Sequence, residues 1–473
     1  MKKGPIYPTL PTRPEAKVSP KQLRLISKTI NATSLLPAEK SYLLPVILAT
    51  VGVQAIGQIA TVSGWANIWS RFTFERWLRE TVKRYEPRND EERGVLEAVK
   101  SALESLKTQP AIFTGDPYGD FTYDHPVLAI ALSEFQTCFR SFGPTLLRFG
   151  DEFSAWRWVS PTIHAVLSHG EKSLAALRKL VPGKAIHIDR DVTRIAVSGD
   201  AGYNNSAQQF VIQQINRRHS AKPFDLFIHL GDTYLSGKDD EFLNNLLAPF
   251  AAVKMKKVAI CGNHDIYRGG EGFEKVIQIW EQPGRYFAIQ TPDWVIACLD
   301  SSLAAPDVAK MDGTLDDEQF AWLRQLIRDK GDKKLVVMTH HFPVSAWSKS
   351  KPTIAAQLKP CVQDIFAWYW GHEHSCATYS PAAGGYYGAC IGNGAFKEPW
   401  STPTVKTQSL DWYAKSSCVH FSKKELTLKI PFLKNRHFWP HGFLELELSK
   451  SGISETYHVE DEPAHTRILP SLP

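Results

Sequence analysis

Five short polar motifs, each following an apolar run, hold the residues of this sequence best suited to chemistry. They are SGDAG with Asp200, LGDTY with Asp232, CGNHD with Asn263, His264 and Asp265, THHFP with His340 and His341, and WGHEH with His372 and His374. Carboxylate, carboxamide oxygen and imidazole form a ligand set suited to manganese, iron or zinc. A Gly-Asp pair after a strand is by itself an ordinary turn, and one pair of histidines is an ordinary core or surface feature. Five such elements in series, each after an apolar strand, are not what turns alone produce. The chemistry that needs them is phosphate ester cleavage. Two cations a few ångströms apart supply a nucleophilic bridging hydroxide at neutral pH and offset the charge that builds on the phosphoryl oxygens.

Rival enzyme classes lack their residues. HEH at 372–374 is not a HExxH protease motif, and neither G-x-S-x-G nor G-x-x-x-x-G-K-[S/T] occurs. Arg268 and Arg285 are secondary candidates, for phosphate binding or as surface charges, and Asp300 is a candidate support or cap.

The elements that must position these residues follow from hydrophobic periodicity. Strands are expected at RIAVS, FDLFIHL, KKVAI, RYFAIQ, WVIACL, KLVVMT and IFAWYW, so that the polar motifs fall at strand C-terminal ends, where sheets with parallel strands build their sites. GFLELEL and ISETYHV around Ser-Lys-Ser-Gly read as a hairpin that closes or covers the sheet, and the stretch from Trp400 to Phe438 as a loop framing the substrate mouth. Residues 186–473 form this sheet domain. Residues 1–185 read instead as an all-α domain, with apolar residues at helical spacing after Arg71, Asp90, His125 and Pro161, and with Asp90 and Ser160 placed as N-caps. Val181-Pro182-Gly183-Lys184 breaks the last helix and sets the boundary near residues 183–191.

At 473 residues the chain exceeds the size at which one core stops growing, in agreement with two domains. The net charge of +6 resides in the first fifty residues, which hold 8 Lys/Arg against 2 Glu. The rest is balanced, so nucleic acid is not an expected partner, and the basic arm is expected to be solvated. The seven cysteines form no CxxC pair, and the opening MKKGPIYPTLPTRPEAK has no apolar run of the signal-peptide kind. A reducing, cytoplasmic setting is expected. Leu43 to Val62 approaches membrane-span length, but Gln54, Gln58, Pro45, Gly52 and Gly57 interrupt it. A buried helix pair is the expected reading, with membrane contact through residues 43–62 as the alternative.

The motif array resembles the calcineurin-like metallophosphoesterase superfamily over about Ile195 to Asn393, and its GDxG opening is similar to the purple acid phosphatase branch. Gly313-Thr314-Leu315 followed by Gln319 and Trp322-Leu323 echoes that branch as well. The resemblance implies an α/β fold, a four-layer β-sandwich flanked by helices. It also implies one metal on Asp200, Asp232 and His374, and another on Asp232, Asn263, the fourth-motif histidine and His372, with Asp232 as the bridge. His264 would assist the leaving group and Asp265 would fix its orientation. His340 and His341 alternate to opposite sides of a strand, and the family's His-x-Pro spacing matches His341-Phe342-Pro343. The expected activity is hydrolysis of phosphomonoesters or phosphodiesters. A partner-gated effector or a phosphate-binding scaffold, regulated or self-associating through the helical domain, is the alternative.

In two places the chain departs from the family pattern. Gly202 stands where many members have a metal-binding histidine. The purple acid phosphatases' tyrosine, three residues after the second aspartate, is replaced by Leu235, with Tyr234 one residue early. Tyr234, Tyr203 and water are the candidates for that place. Water is preferred, both tyrosines then being pocket walls, and a ferric-tyrosinate centre is not expected.

Overall fold

The computed structural model describes residues 70–109, 113–115, 121–142, scattered positions from 160 to 179, and 180–470 except 306–312, 350, 382–384, 406–408, 416, 419–436 and 461. The segment 43–62 lies outside the described residues. Among them, no helix is long and apolar enough to cross a membrane.

The N-terminal part holds helices α1 (Ser70–Arg84) and α2 (Asp90–Thr108), the antiparallel strands β1 (Phe113–Gly115) and β2 (Phe121–Tyr123), and helix α3 (Pro126–Phe142). The β-hairpin departs from the all-α expectation; its Phe-Thr-Gly and Phe-Thr-Tyr runs were too short to register as strands by periodicity. Asn89 caps α2 by accepting from Glu92 N at 2.8 Å, which makes the expected cap Asp90 the first helical residue.

Beyond residue 185 the chain runs through β3 (Ile186–His187), β4 (Val192–Ser198), α4 (Ser206–Ala221), β5 (Leu226–His229), β6 (Lys256–Ala259), α5 (Glu271–Ile279), β7 (Phe287–Gln290) and β8 (Trp294–Cys298). It continues through α6 (Asp317–Asp329), β9 (Lys334–Thr339), α7 (Thr353–Leu358), β10 (Ile365–Trp370), β11 (Cys376–Tyr379), β12 (Tyr387–Ile391) and β13 (Leu410–Tyr413). The short pair β14 (Ser417–Cys418) and β15 (His437–Phe438) precedes β16 (Gly442–Ser449), β17 (Gly452–Val459) and β18 (His465–Pro470). One sheet has the order β18-β17-β16-β4-β5-β6, the other β13-β11-β12-β10-β9-β8-β7-β3.

Strand alternation explains how these sheets stack. Ile195 and Val197 of β4, Leu226 and Ile228 of β5, Trp294 and Ile296 of β8 and Val336 and Met338 of β9 share one buried layer between the sheets. Their neighbours face outward. Ala196 and Phe227 meet α4 and α5 through Val211, Ile215 and Val276. Val295 and Val337 meet α6 and α7 through Leu323, Ile354 and Leu358. A period of two thus gives each strand two apolar faces and the domain four layers, helix on sheet on sheet on helix. The C-terminal hairpin β16–β17 is more than a cover: β16 pairs antiparallel with β4 and extends the sheet that carries Asp200.

Candidate metal centre

All five motifs sit just beyond strand ends on one edge of the sandwich. Asp200 follows β4, Asp232 follows β5, Asn263 follows β6, His340 follows β9 directly and His372 follows β10. Three of these residues adopt left-handed backbone conformations: Asp200 (φ 55°), Asp232 (φ 71°) and His372 (φ 65°). Non-glycine residues there carry strain, and such strain gathers at functional sites. Gly262 permits the closest approach, because a Cβ at that position would lie 2.1 Å from Asp232 Oδ1.

The second-metal group converges around His340. Its Nδ1 lies 2.8 Å from the Leu230 carbonyl, which can only accept, so Nδ1 carries a proton and Nε2 is the nitrogen that would present a lone pair to a metal. That atom lies 3.0 Å from Asn263 Oδ1, 3.1 Å from His372 Nδ1 and 3.4 Å from Asp232 Oδ2. Asn263 is turned by its amide nitrogen, which donates to the Tyr267 hydroxyl at 2.7 Å and leaves Oδ1 facing the cluster. The ligand atoms of Asp232, His340 and His372 all fall within 4.8 Å of one another. Four electron-pair donors brought together in a buried space repel unless a positive charge sits among them, so the donor set fits a cation.

His341 packs against this group, its ring centroid 4.6 Å from that of His372, but brings no nitrogen into the His340–Asn263–Asp232 contacts. Its Nδ1 meets Ser301 Oγ at 2.9 Å, and Gly313 packs against its ring base. The family's His-x-Pro spacing had pointed to His341, whereas the structure brings His340 to the cluster. The physical reason is strand phase: His340 continues the inward alternation of Val336 and Met338.

Asp200, His374 and Tyr234 form a second polar group beside the His340 cluster. The Tyr234 hydroxyl donates to Asp200 Oδ1 at 2.8 Å and lies 2.6 Å from His374 Nε2, while His374 Nε2 is 3.3 Å from Asp200 Oδ1. Asp200 Oδ2 accepts from the His372 backbone N–H at 2.8 Å, tying the two strand ends together. Water and two wall tyrosines were expected here. Tyr234 instead enters the site, reaching it from one position earlier than the family spacing, and Tyr203 packs against it with ring centroids 5.8 Å apart. Glu398, which sequence reading missed, lies 3.6 Å from His374 Nδ1, within ion-pair distance of that ring.

Burial opposes charge throughout the cluster. Even so, the charges on His340 and His264 hold Asp232 well below the ordinary carboxylate range, and Asp232 in turn raises His340. Burial, together with the neighbouring imidazoles, lowers His341 and His372.

His264 is held by groups other than the one expected. Its Nδ1 meets the Leu235 carbonyl at 2.7 Å and its Nε2 meets Asp124 Oδ1 at 3.0 Å. Asp265 does not orient it. The Asp265 carboxylate accepts from the backbone N–H groups of Gly262 (2.7 Å), Thr233 (2.8 Å) and Asp232 (3.1 Å), so it braces the loops that carry the ligands. Asp124 belongs to no motif and lies 140 positions before His264 in the chain. Arg268 pairs with Glu134, and Arg285, expected as a surface or substrate charge, is buried against Asp300 at 3.0 Å and Asp316.

The segment that carries most of this site is similar to known proteins. Residues 193–376 match the family model described as calcineurin-like phosphoesterase. Among individual proteins, a 3',5'-cyclic adenosine monophosphate phosphodiesterase, CpdA of Pseudomonas aeruginosa, is 29% identical over 177 residues, which is 35% of this chain and 58% of that protein. The chain thus spans a little over half the length of this curated relative. Among solved structures, the Plasmodium protein GAP50, described as the anchor in the inner membrane complex, superposes with a TM-score of 0.45 at 14% identity, covering 60% of this chain and 90% of that one. A purple acid phosphatase from yellow lupin seeds gives 0.44 at 13% identity, covering 60% and 54%.

Proposed function

We propose that the protein hydrolyses phosphate esters at this strand-end centre. The observation that carries the reading is the convergence of His340 Nε2, Asn263 Oδ1, His372 Nδ1 and Asp232 Oδ2 on one small buried space. In this reading Asn263, His340 and His372 hold one metal, Asp200, His374 and Tyr234 the other, and Asp232 is shared. Manganese, iron or zinc suits such donors. Two bound cations would supply a water nucleophile at neutral pH and draw charge from the phosphoryl group.

The chain's own residues do the remaining work. His340 keeps its proton on Nδ1 through Leu230 and so keeps Nε2 free as a ligand. His264 keeps a proton on Nδ1 through Leu235, so Nε2 is the ring nitrogen that, once protonated, would serve the leaving oxygen. Asp265 fixes the backbone from which both loops project. Phosphomonoesters and phosphodiesters both suit this arrangement, and the similarity to CpdA makes cyclic nucleotide diesters one class to assay.

Purified protein supplied with manganese is expected to hydrolyse an aryl phosphate or a bis-aryl phosphate, and Asp232→Asn to abolish turnover. Equal rates for the two proteins, both loaded with metal, would refute the reading. A second reading, an effector gated through its N-terminal part, is favoured by one observation: Asp124, from outside the matched family segment, touches His264.

A further inference from the structure

Asp124 follows strand β2 and is almost fully buried, with both carboxylate oxygens engaged. Oδ2 accepts from Thr114 Oγ1 of the facing strand at 2.7 Å, and Oδ1 lies 3.0 Å from His264 Nε2. The part of the chain that carries it is docked on the loops around the metal centre. Phe74, Leu78, Val99 and Leu128 share one apolar cluster with Tyr234, Leu235, Tyr267 and Phe396. Farther from the centre, Ser133 donates to Glu241 at 2.7 Å, and Glu134 pairs with Arg268 and, at 3.4 Å, with Lys238. Under this cover His264, Asp232 and Asp200 are shut from solvent.

A count of protons at His264 gives the consequence. An imidazole ring offers two N–H donors at most. The Leu235 carbonyl can only accept, so the Nδ1 proton is committed there. The carboxylate at Nε2 takes the other. With Asp124 docked, both ring nitrogens of His264 are engaged, none is free to face a departing oxygen, and a carboxylate occupies the space beside Nε2 that a phosphate ester would need.

We propose that Asp124 is a built-in competitor of the substrate: the N-terminal segment docks its carboxylate on His264, and the segment must lift before a phosphate ester engages that histidine. The inference rests on the phosphoesterase reading above and adds to it a named contact that holds the site closed. The apparent affinity for substrate is then lowered by the fraction of molecules in which the segment has lifted. Any change that weakens docking raises that fraction, whether at Asp124 or at a distant anchor.

The test uses the full chain with manganese and compares wild type, Asp124→Asn and Glu134→Ala. The second variant cuts an anchor that touches neither His264 nor a metal ligand. Turnover of an aryl phosphate and a bis-aryl phosphate is measured, with inhibition by inorganic vanadate as a probe of oxyanion binding. Both variants are expected to raise kcat/KM by about ten-fold or more, mainly through KM, and to lower the inhibitory vanadate concentration in parallel. A wild type that is inert beside active variants supports the inference most strongly. Wild-type activity with both variants equal or slower overturns it and leaves Asp124 as a positioning group for His264. If Asp124→Asn does not melt cooperatively, Glu134→Ala alone decides. Inertness of all three proteins with metal bound sinks the phosphoesterase reading together with the inference.

Discussion

Tyr234 and Asp200 are joined by a buried hydrogen bond of 2.8 Å, and the same hydroxyl lies 2.6 Å from His374 Nε2. In the proposed reading the phenol takes the place that Gly202 leaves open. Burial comes first in pushing its pKa well above 10, and the carboxylates of Asp200 and Asp232 add to this, so without a cation it is a neutral donor. A trivalent ion, if held by Asp200 and His374, would reverse that balance by favouring the phenolate. Protein loaded with iron is therefore expected to show a visible tyrosinate-to-iron absorption band, absent in Tyr234→Phe. A band that survives the substitution would exclude Tyr234 as a ligand.

His340 and His341 are adjacent and both pack on His372, but only His340 brings a ring nitrogen to Asp232 and Asn263. His340→Ala is expected to lose close to one metal per chain, measured by elemental analysis after dialysis. His341→Ala is expected to keep both. The loss in affinity at His340 should exceed the roughly 10–100-fold typical when only an outer partner of a metal ligand is removed. Equal metal loss in both variants would refute this assignment.

These two cases mark how far the sequence could be read. The seven strands and the ligand-bearing turns were legible because alternation and polar strand ends are local properties. Which histidine faces the metals was not. Phase along β9 is visible in KLVVMT, but both of its faces are apolar, and only sheet packing distinguishes the inner layer of Val336 and Met338 from the outer layer of Leu335 and Val337. Tyr234 was hidden by a one-residue difference from the family spacing. Asp124 was hidden more deeply, since its role comes from docking of a hairpin 140 positions away and no local pattern encodes that contact. The helical pattern of the N-terminal part was legible; its use as a cover over the centre was not.

Asp265 braces three backbone N–H groups, from Gly262, Thr233 and Asp232, all buried. Asp265→Ala leaves these donors without their acceptor, at about 1–3 kcal/mol each where water does not replace it. A loss of several kcal/mol is expected, read as a lower midpoint in urea, together with weaker metal binding as the Asp232 loop relaxes. Unchanged stability would mean that the loops hold themselves without the carboxylate.

A second ion network lies away from the centre, where β16 meets β4. Glu445, 3% exposed, is paired with Arg194, with Arg218 at 3.2 Å and with His458 at 2.9 Å. Burial opposes its charge, but the hydrogen bonds from His458 and Arg194 and the charges of Arg194 and Arg218 outweigh it and bring its pKa down from 4.5 to about 2. A carboxylate whose pKa is depressed on folding stabilises the fold fully above its unfolded value. That stabilisation fades as pH falls from 4.5 toward about 2. The linked contribution is about 3 kcal/mol at neutral pH by the size of the shift. Glu445→Gln is therefore expected to lower stability at pH 7 and to flatten the acid side of the stability profile between pH 4.5 and 2. Denaturant midpoints measured across that window check both effects. A variant with the wild-type slope would show that other carboxylates govern acid unfolding.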